Sequence, residues 1–397
     1  MFSKQPAVVP VRHASQRAAE MPRSAIREIM ALAAGRPDVI HLEVGEPDFS
    51  TPQHIIDAAF KAASVGWTKY APNAGLPALR QQVAMRASRY GGKQPVVAEQ
   101  VVITTGAIGA LYSALMAVID GGDEVLIPDP GWPNYEAIVH LAGAKPVRYL
   151  QQATRGFLPD AAEIAGLITS RTKALLINTP GNPSGAVFPP GLMAQIGEIV
   201  AHSGVYLVSD EIYEDIVFEN AHVSAAVDAP SDRVFIVSGF SKSYAMTGWR
   251  LGWLICPPRL SSIVASLQEP VTSCASTIAQ KAGEAAVAGD QSCVAELREI
   301  FRRRRDSVIE VFGNTGLLPV TPQGAFYALI DIRSTAQRSL EFAKGFLISR
   351  NTAVVPGVTF GPHCDGYVRV AFTTSDQQLR EGLQRLRAHI EELGRNR

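Results

Sequence analysis

The 397-residue sequence has no apolar run approaching the ~18 residues that a membrane-spanning helix requires. Its longest apolar-rich segment, residues 108–119, is about twelve residues long and fits a buried helix. Net charge is absent too. Lys plus Arg is 37 and Asp plus Glu is 37, so nothing in the balance calls for nucleic acid or an anionic membrane as a partner. Cysteine is scarce: Cys256, Cys274, Cys293 and Cys364 lack CxxC spacing, which excludes a zinc site or a disulfide framework as the expectation. Buried free thiols in a reducing cytoplasm are expected, with no metal. The N-terminus sets Lys4, Arg12, Arg17, Arg23 and Arg27 against Glu20 alone. Pro6, Pro10 and Pro22 interrupt any amphipathic targeting helix, so an arm packed on the fold or on a partner subunit is expected.

What is present is a large core. With 47% apolar and 19% charged residues, a chain of this length should fold as two or three domains. Short apolar runs alternate with helical patterns through the middle: 101–103, 124–127 stopping at Pro128, 174–177, 205–208 and 234–237. Continuous apolar strands of this kind predict an α/β fold with a mostly parallel sheet covered by helices on both faces. Ligands of such sheets collect beyond the carboxyl ends of the strands. At those ends stand 178–181 (Asn-Thr-Pro-Gly), Ser209, Asp210, Glu211 and the segment 238–242 (Ser-Gly-Phe-Ser-Lys). After about residue 285 the texture changes to a small α+β unit. It contains a helix over 293–312, a strand at 326–330, a strand at 367–372 and a closing helix. The four arginines 302–305 read as a solvated helix face.

The segment 239–252, Gly-Phe-Ser-Lys-Ser-Tyr-Ala-Met-Thr-Gly-Trp-Arg-Leu-Gly, carries the most chemistry. Lys242 follows an apolar strand, where a lysine is costly unless it has a task. Desolvated, such an amine loses its proton and can form a Schiff base with a carbonyl. Arg250, eight residues on, can hold a phosphate through paired hydrogen bonds. Pyridoxal phosphate needs both functions about one cofactor length apart.

This segment resembles the lysine motif of the class I/II aminotransferases. The chain is similar to the fold-type I pyridoxal-phosphate enzymes, in particular their bacterial and archaeal aspartate/aromatic subgroup, from Gly45-Glu46-Pro47-Asp48-Phe49 to Tyr367-Val368-Arg369-Val370. The resemblance implies a large cofactor-binding domain over 47–285. Residues 1–46 and 286–397 would form the arm and the small domain. It also implies that Lys242 holds the cofactor covalently, that Asp210 pairs with the ring nitrogen, and that Tyr213 and Asn182 donate to the ring's phenolic oxygen. Gly106, Ala107 and Ile108 would present a helix N-terminus to the phosphate, joined by Ser241 and Arg250. Trp132 would stack on the ring, and Tyr70 would reach the phosphate of the neighbouring subunit in a homodimer. Arg369 would clamp the substrate carboxylate, with Gly45, Trp132 and Asn182 beside it.

Two departures bear on the substrate. Acid-specific relatives place a lysine where this chain has Ile108, and the stretch 267–273 lacks the arginine that would meet a distal carboxylate. The reading is therefore amino transfer between an L-amino acid, neutral or aromatic, and a 2-oxo acid by a ping-pong mechanism. The alternatives are a lyase of the same fold and, in another class, an aminotransferase-like regulatory protein.

Overall fold

The computed structural model describes residues 15–19, 21, 25–90, 92 and 95–395. Lys4, Arg12 and Arg23 of the basic arm, with Glu20 and all three of its prolines, lie outside them. Among the described residues the strands are β1 (Ile40–His41), β2 (Val101–Thr104), β3 (Glu124–Asp129), β4 (Lys145–Gln152), β5 (Leu158–Pro159), β6 (Thr172–Asn178), β7 (Tyr206–Asp210), β8 (Val234–Gly239), β9 (Gly252–Ile255), β10 (Tyr327–Asp331), β11 (Thr352–Ala353), β12 (Val355–Pro356) and β13 (Tyr367–Ala371).

Eight strands form one sheet in the order β2-β9-β8-β7-β6-β3-β4-β5. β3, β4, β6, β7 and β8 run parallel. Every residue of β3 and β8 is buried, as expected of strands covered on both faces. Successive side chains point to opposite faces and join different cores. Leu175, Ile177, Leu207 and Ile236 enter the cluster with helices Pro77–Ser88, Pro190–Ser203 and Thr277–Ala288. Leu176, Val208, Phe235 and Val237 meet helices Gly106–Met116 and Pro133–Leu141 on the other side.

Three details depart from the sequence reading. β9 is an unforeseen strand, antiparallel to both β2 and β8. It follows the lysine segment directly and reaches β8 because two glycines face each other. A Cβ on Gly239 would stand 2.9 Å from the Cα of Gly252. β4 is also unforeseen. It lies next to the short edge strand β5, and its half-buried side chains, Arg148 among them, accommodate a polar sequence that does not read as an apolar run. β3 runs through Pro128 to Asp129: its register with β6 ends at Leu126, so the proline's missing N–H breaks no ladder on that side.

β10, β13 and β12 form an antiparallel sheet of three strands, and β1 pairs with β11 beside it. Helices Ser292–Phe312, Ser339–Arg350 and Asp376–Arg395 pack there through Phe301, Phe312, Phe342, Phe346, Leu379 and Leu386. The arginine run is only partly a solvated face. Arg303 is exposed, but Arg304 and Arg305 are buried. Arg304 bonds Asp48 at 2.7 Å and Asp376 at 3.0 Å, and Arg305 pairs with Glu219. Four consecutive residues span more than one helical turn, so two of them face the neighbouring elements. The cysteines are all free; Cys256 and Cys364 are buried, while Cys274 and Cys293 are half-buried rather than buried. No helix among the described residues is long and apolar enough to cross a membrane.

Candidate active site

The carboxyl ends of β3, β6, β7 and β8 open onto a cavity of about 490 Å³. Its wall brings together Gly45, Ala107, Ile108, Trp132, Asn182, Asp210, Tyr213, Ser241, Lys242, Arg250 and Arg369. Gly106 and Tyr70 are not among them: Gly106 stands just behind Ala107 at the start of its helix, and Tyr70 is 89% exposed on the outer surface.

Lys242 follows the end of β8, and its Nζ donates to the carbonyl of Gly45 at 2.7 Å. The amine lies close to the rings of Phe326 and Tyr213, at 5.6 and 6.0 Å. Burial pushes its pKa down to about 8, with Arg369 and Arg250 adding to the drop and Glu46 and Asp210 opposing it. A neutral amine, able to attack a carbonyl, is thus accessible near neutral pH.

Asp210 ends β7 as a buried carboxylate at the cavity wall. Burial raises its pKa to about 6, against the hydrogen bonds from Tyr135 and the Ile212 N–H. Tyr135 Oη donates to its Oδ2 at 2.8 Å. Asn178, at the end of β6, donates to the Asp210 carbonyl at 3.0 Å and accepts from the Asn182 N–H at 2.8 Å. The sequence marks Asn178 only as a strand-end polar residue. Tyr135 gives no signal of its own, one helical turn beyond Trp132.

Helix Gly106–Met116 begins at the cavity wall, and Thr105 at its N-cap makes no side-chain capping bond. The first-turn N–H groups are therefore free to bind an anion. A Cβ on Gly106, whose φ is 72°, would stand 2.6 Å from Arg250 Nη2, so only glycine lets the guanidinium lie over the helix start. Arg250 and Ala245 both hold left-handed backbone, φ 53° and 50°, conformations that cost non-glycine residues energy and cluster at functional sites. The Arg250 Nη1 donates to the Thr247 carbonyl at 2.7 Å, fixing its direction.

Arg369 stands on β13 across the cavity. It donates to Asn182 Oδ1 at 3.1 Å and to the Glu43 carbonyl at 2.6 Å, and its Nε has no partner. Its guanidinium lies 4.4 Å from the ring centre of Tyr327 and 5.2 Å from that of Phe360. Tyr327 escaped the sequence reading because, behind Phe326 in an apolar strand, it looks like core.

Beneath the Asp210–Asp215 turn lies a buried charge network. Arg86 bonds Glu214 at 3.1 Å and Asp215 at 2.6 Å, and His222 bonds Glu211 at 2.8 Å. Glu211, Glu214 and His222 stand close enough to hold a metal ion. Arg86 already supplies the positive charge there, and the network anchors the turn that carries Asp210 and Tyr213.

A lysine with a lowered pKa, an acid at a strand end, a glycine-started helix under an arginine, and a second arginine on the facing strand thus gather around one cavity. The sequence model of the family aminotransferase class I and II matches residues 37–386, and the chain belongs to that family. It is 39% identical over 351 residues to an aspartate/prephenate aminotransferase of Thermus thermophilus, covering 88% of this chain and 90% of that protein. It is 36% identical over 372 residues to an aspartate aminotransferase of Pyrococcus horikoshii, covering 93% and 95%. Among solved structures, the Thermus thermophilus aspartate aminotransferase with maleate superposes at TM-score 0.90, with 37% identity over 96% of this chain and 100% of that one. The aromatic aminotransferase from Pyrococcus horikoshii superposes at 0.86, with 35% identity over 92% and 99%. The protein is an aminotransferase of fold-type I.

Proposed function

We propose that this aminotransferase works with pyridoxal phosphate on Lys242, as a cytoplasmic homodimer, and prefers a neutral or aromatic amino donor. The observation that carries the cofactor reading is the single cavity holding a Lys242 amine near pKa 8 and, at another wall, the Gly106–Arg250 anion cradle. The donor set fits a phosphorylated aldehyde: an amine for the carbonyl, free helix N–H groups and a guanidinium for the phosphate, and an acid for a ring nitrogen. When bound, pyridoxal phosphate supplies a carbonyl carbon and a protonated ring that takes up the electron pair released at the substrate's Cα.

The chain's own groups then have distinct tasks. Asp210, buried and held by Tyr135, would keep a partner nitrogen protonated. Its burial makes an ion pair there stronger than any at the surface. Tyr213 and Asn182 present donors to the phenolic oxygen, and Trp132 lends its face to the ring. Arg369 takes the substrate carboxylate in a bidentate grip, which places Cα within reach of Lys242. The amine of Lys242 would take the proton from Cα and deliver it two bonds away, across the amino nitrogen, to the carbon that the cofactor's carbonyl supplies, acting as base and then acid. Tyr70, exposed in one chain, reaches a neighbouring subunit's phosphate in the dimer. With a domain over 47–285 and a second unit from 1–46 and 286–397, Arg369 and Lys242 would belong to different units, and substrate binding would draw the two together. Free thiols at Cys256 and Cys364 suit a reducing compartment.

Three of the four relatives above carry aspartate in their names and the fourth is an aromatic aminotransferase; the wall of this cavity bears Ile108. The cations at that wall are Lys242, Arg250, Arg369 and Arg27, the last exposed on helix Ala25–Ala33. An exposed guanidinium is screened by water and holds a distal carboxylate poorly. This favours donors without one.

The test is an absorbance titration of the holoenzyme with single amino acids, with 2-oxo acid and ammonia assayed alongside. Neutral or aromatic donors should convert the cofactor band and release 2-oxo acid without ammonia. Conversion by aspartate and glutamate only would overturn the donor preference. Ammonia release with an unchanged band would mark a lyase.

A further inference from the structure

Tyr327 opens β10, and its side chain touches three parts of the cavity at once. In the antiparallel pairing of β10 with β13, Tyr327 stands opposite Ala371 and Leu329 opposite Arg369. Tyr327 and Arg369 are therefore diagonal neighbours on one face of the sheet, close enough for long side chains to meet. The Arg369 guanidinium lies 4.4 Å from the centre of the Tyr327 ring, a cation–π contact in a buried setting. The hydroxyl of Tyr327 lies 2.9 Å from that of Tyr213, and both are buried. The two rings meet edge to face, with centres 5.7 Å apart. A Cβ on Gly45 would stand 2.5 Å from the Tyr327 hydroxyl, so the glycine is what admits the phenol to this place.

Two hydroxyls 2.9 Å apart share one hydrogen, so one of them donates and the other keeps its own hydrogen free. The cation over the Tyr327 ring favours Tyr327 as the donor, because positive charge stabilises electron density left on its oxygen. Burial raises the pKa of both phenols and Arg369 opposes the rise at both, but the guanidinium lies directly against the Tyr327 ring, 4.4 Å from its centre. With its oxygen accepting from Tyr327, Tyr213 keeps its own hydrogen to offer into the cavity, and the chain of bonds polarises it into a stronger donor.

We propose that Tyr327 is a positioning residue that donates its hydroxyl hydrogen to Tyr213 and braces Arg369 with its ring. One side chain would then link the donor to the cofactor's phenolic oxygen with the clamp for the substrate carboxylate. This rests on the cofactor reading above.

The experiment compares holoenzymes of the wild type, Tyr327→Phe, Tyr327→Leu and Tyr213→Phe. It reads the pH midpoint of the visible band of the lysine-bound cofactor and the affinity for an unreactive carboxylate inhibitor. Weakening a donor to the phenolic oxygen raises the midpoint. Tyr327→Phe should raise it by about 0.5–1 pH unit, the worth of one hydrogen bond, and leave inhibitor binding within about twofold. Tyr327→Leu should raise the midpoint equally and weaken the inhibitor by about fivefold through loss of the ring. An unchanged midpoint in Tyr327→Phe, with Tyr213→Phe shifted, would overturn the proposal and leave the cofactor reading standing. So would loss of thermal stability alone. A lowered midpoint would overturn it too, by showing that Tyr213 donates to Tyr327. If no visible band forms that Lys242→Ala abolishes, the cofactor reading fails and the proposal with it.

Discussion

Tyr135 and Asp210 form a buried pair in which the phenol donates to the carboxylate at 2.8 Å. The bond lowers the pKa of a group that burial raises to about 6, so it partly offsets the cost of keeping a charge there.

An acid whose folded pKa lies above its unfolded value stabilises the fold at low pH, and that contribution is lost as pH rises through the folded value. For Asp210 the window runs from about 4 to about 6, and the ionised carboxylate then costs the cofactor-free chain up to about 3 kcal/mol. Asp210→Asn should therefore raise the melting temperature of cofactor-free protein at neutral pH, less so below the window, while weakening cofactor retention. Tyr135→Phe should lower that melting temperature at neutral pH. Calorimetry across this range checks both signs.

Lys242 has the opposite sign: burial holds its folded pKa near 8, below the usual lysine value. Covalent loading with pyridoxal phosphate should accelerate about tenfold per pH unit up to about 8 and then level off, because only the neutral amine attacks. Lys242→Ala should show no covalent band and lose at least ~10²–10⁴-fold in turnover. Stopped-flow absorbance measures the first and a coupled assay the second.

Within the arginine run, neighbours should behave very differently. Arg304→Ala removes a buried guanidinium and leaves a gap, but Asp48 and Asp376 stay partly solvated, so the cost is about 1–3 kcal/mol. Arg303→Ala, on the exposed face of the same helix, should stay within about 0.5 kcal/mol of the wild type. Denaturant unfolding distinguishes the two.

If Ile108 sets the donor preference, Ile108→Lys should raise kcat/KM for aspartate at least about tenfold, the effect of one charge-assisted hydrogen bond. A neutral donor should lose by a smaller factor. Steady-state kinetics with both donors checks the direction.

Tyr70, 89% exposed in one chain, should be required in trans. Mixing inactive Tyr70→Ala and Lys242→Ala proteins should restore roughly a quarter of wild-type activity, since a heterodimer carries one intact site. Each variant alone, assayed at equal concentration, is the control.

The central sheet was legible because β6, β7 and β8 are unbroken apolar runs that end in polar residues, and a strand covered on both faces leaves no other pattern. Lys242, Arg250, Asp210 and Asn182 could be read for the same reason: each lies next to a strand end or in a glycine-rich turn, so local sequence fixes its place. β4 and β9 could not, one being polar and near the sheet edge, the other depending on Gly239 meeting Gly252 from the neighbouring strand. Tyr135 and Tyr327 look like core residues along the chain. Their importance comes from what they meet, Asp210 across 75 positions and Tyr213 across 114. The split of the arginine run into exposed and buried members likewise depends on Asp48, Asp376 and Glu219 arriving from elsewhere. The sequence by itself determined the fold class, the family and which polar residues stand at the strand ends, because these are set by short-range pattern. Only the tertiary structure decided which phenols bond to which acids and clamps, because hydrogen bonds between distant residues follow from how the sheets pack.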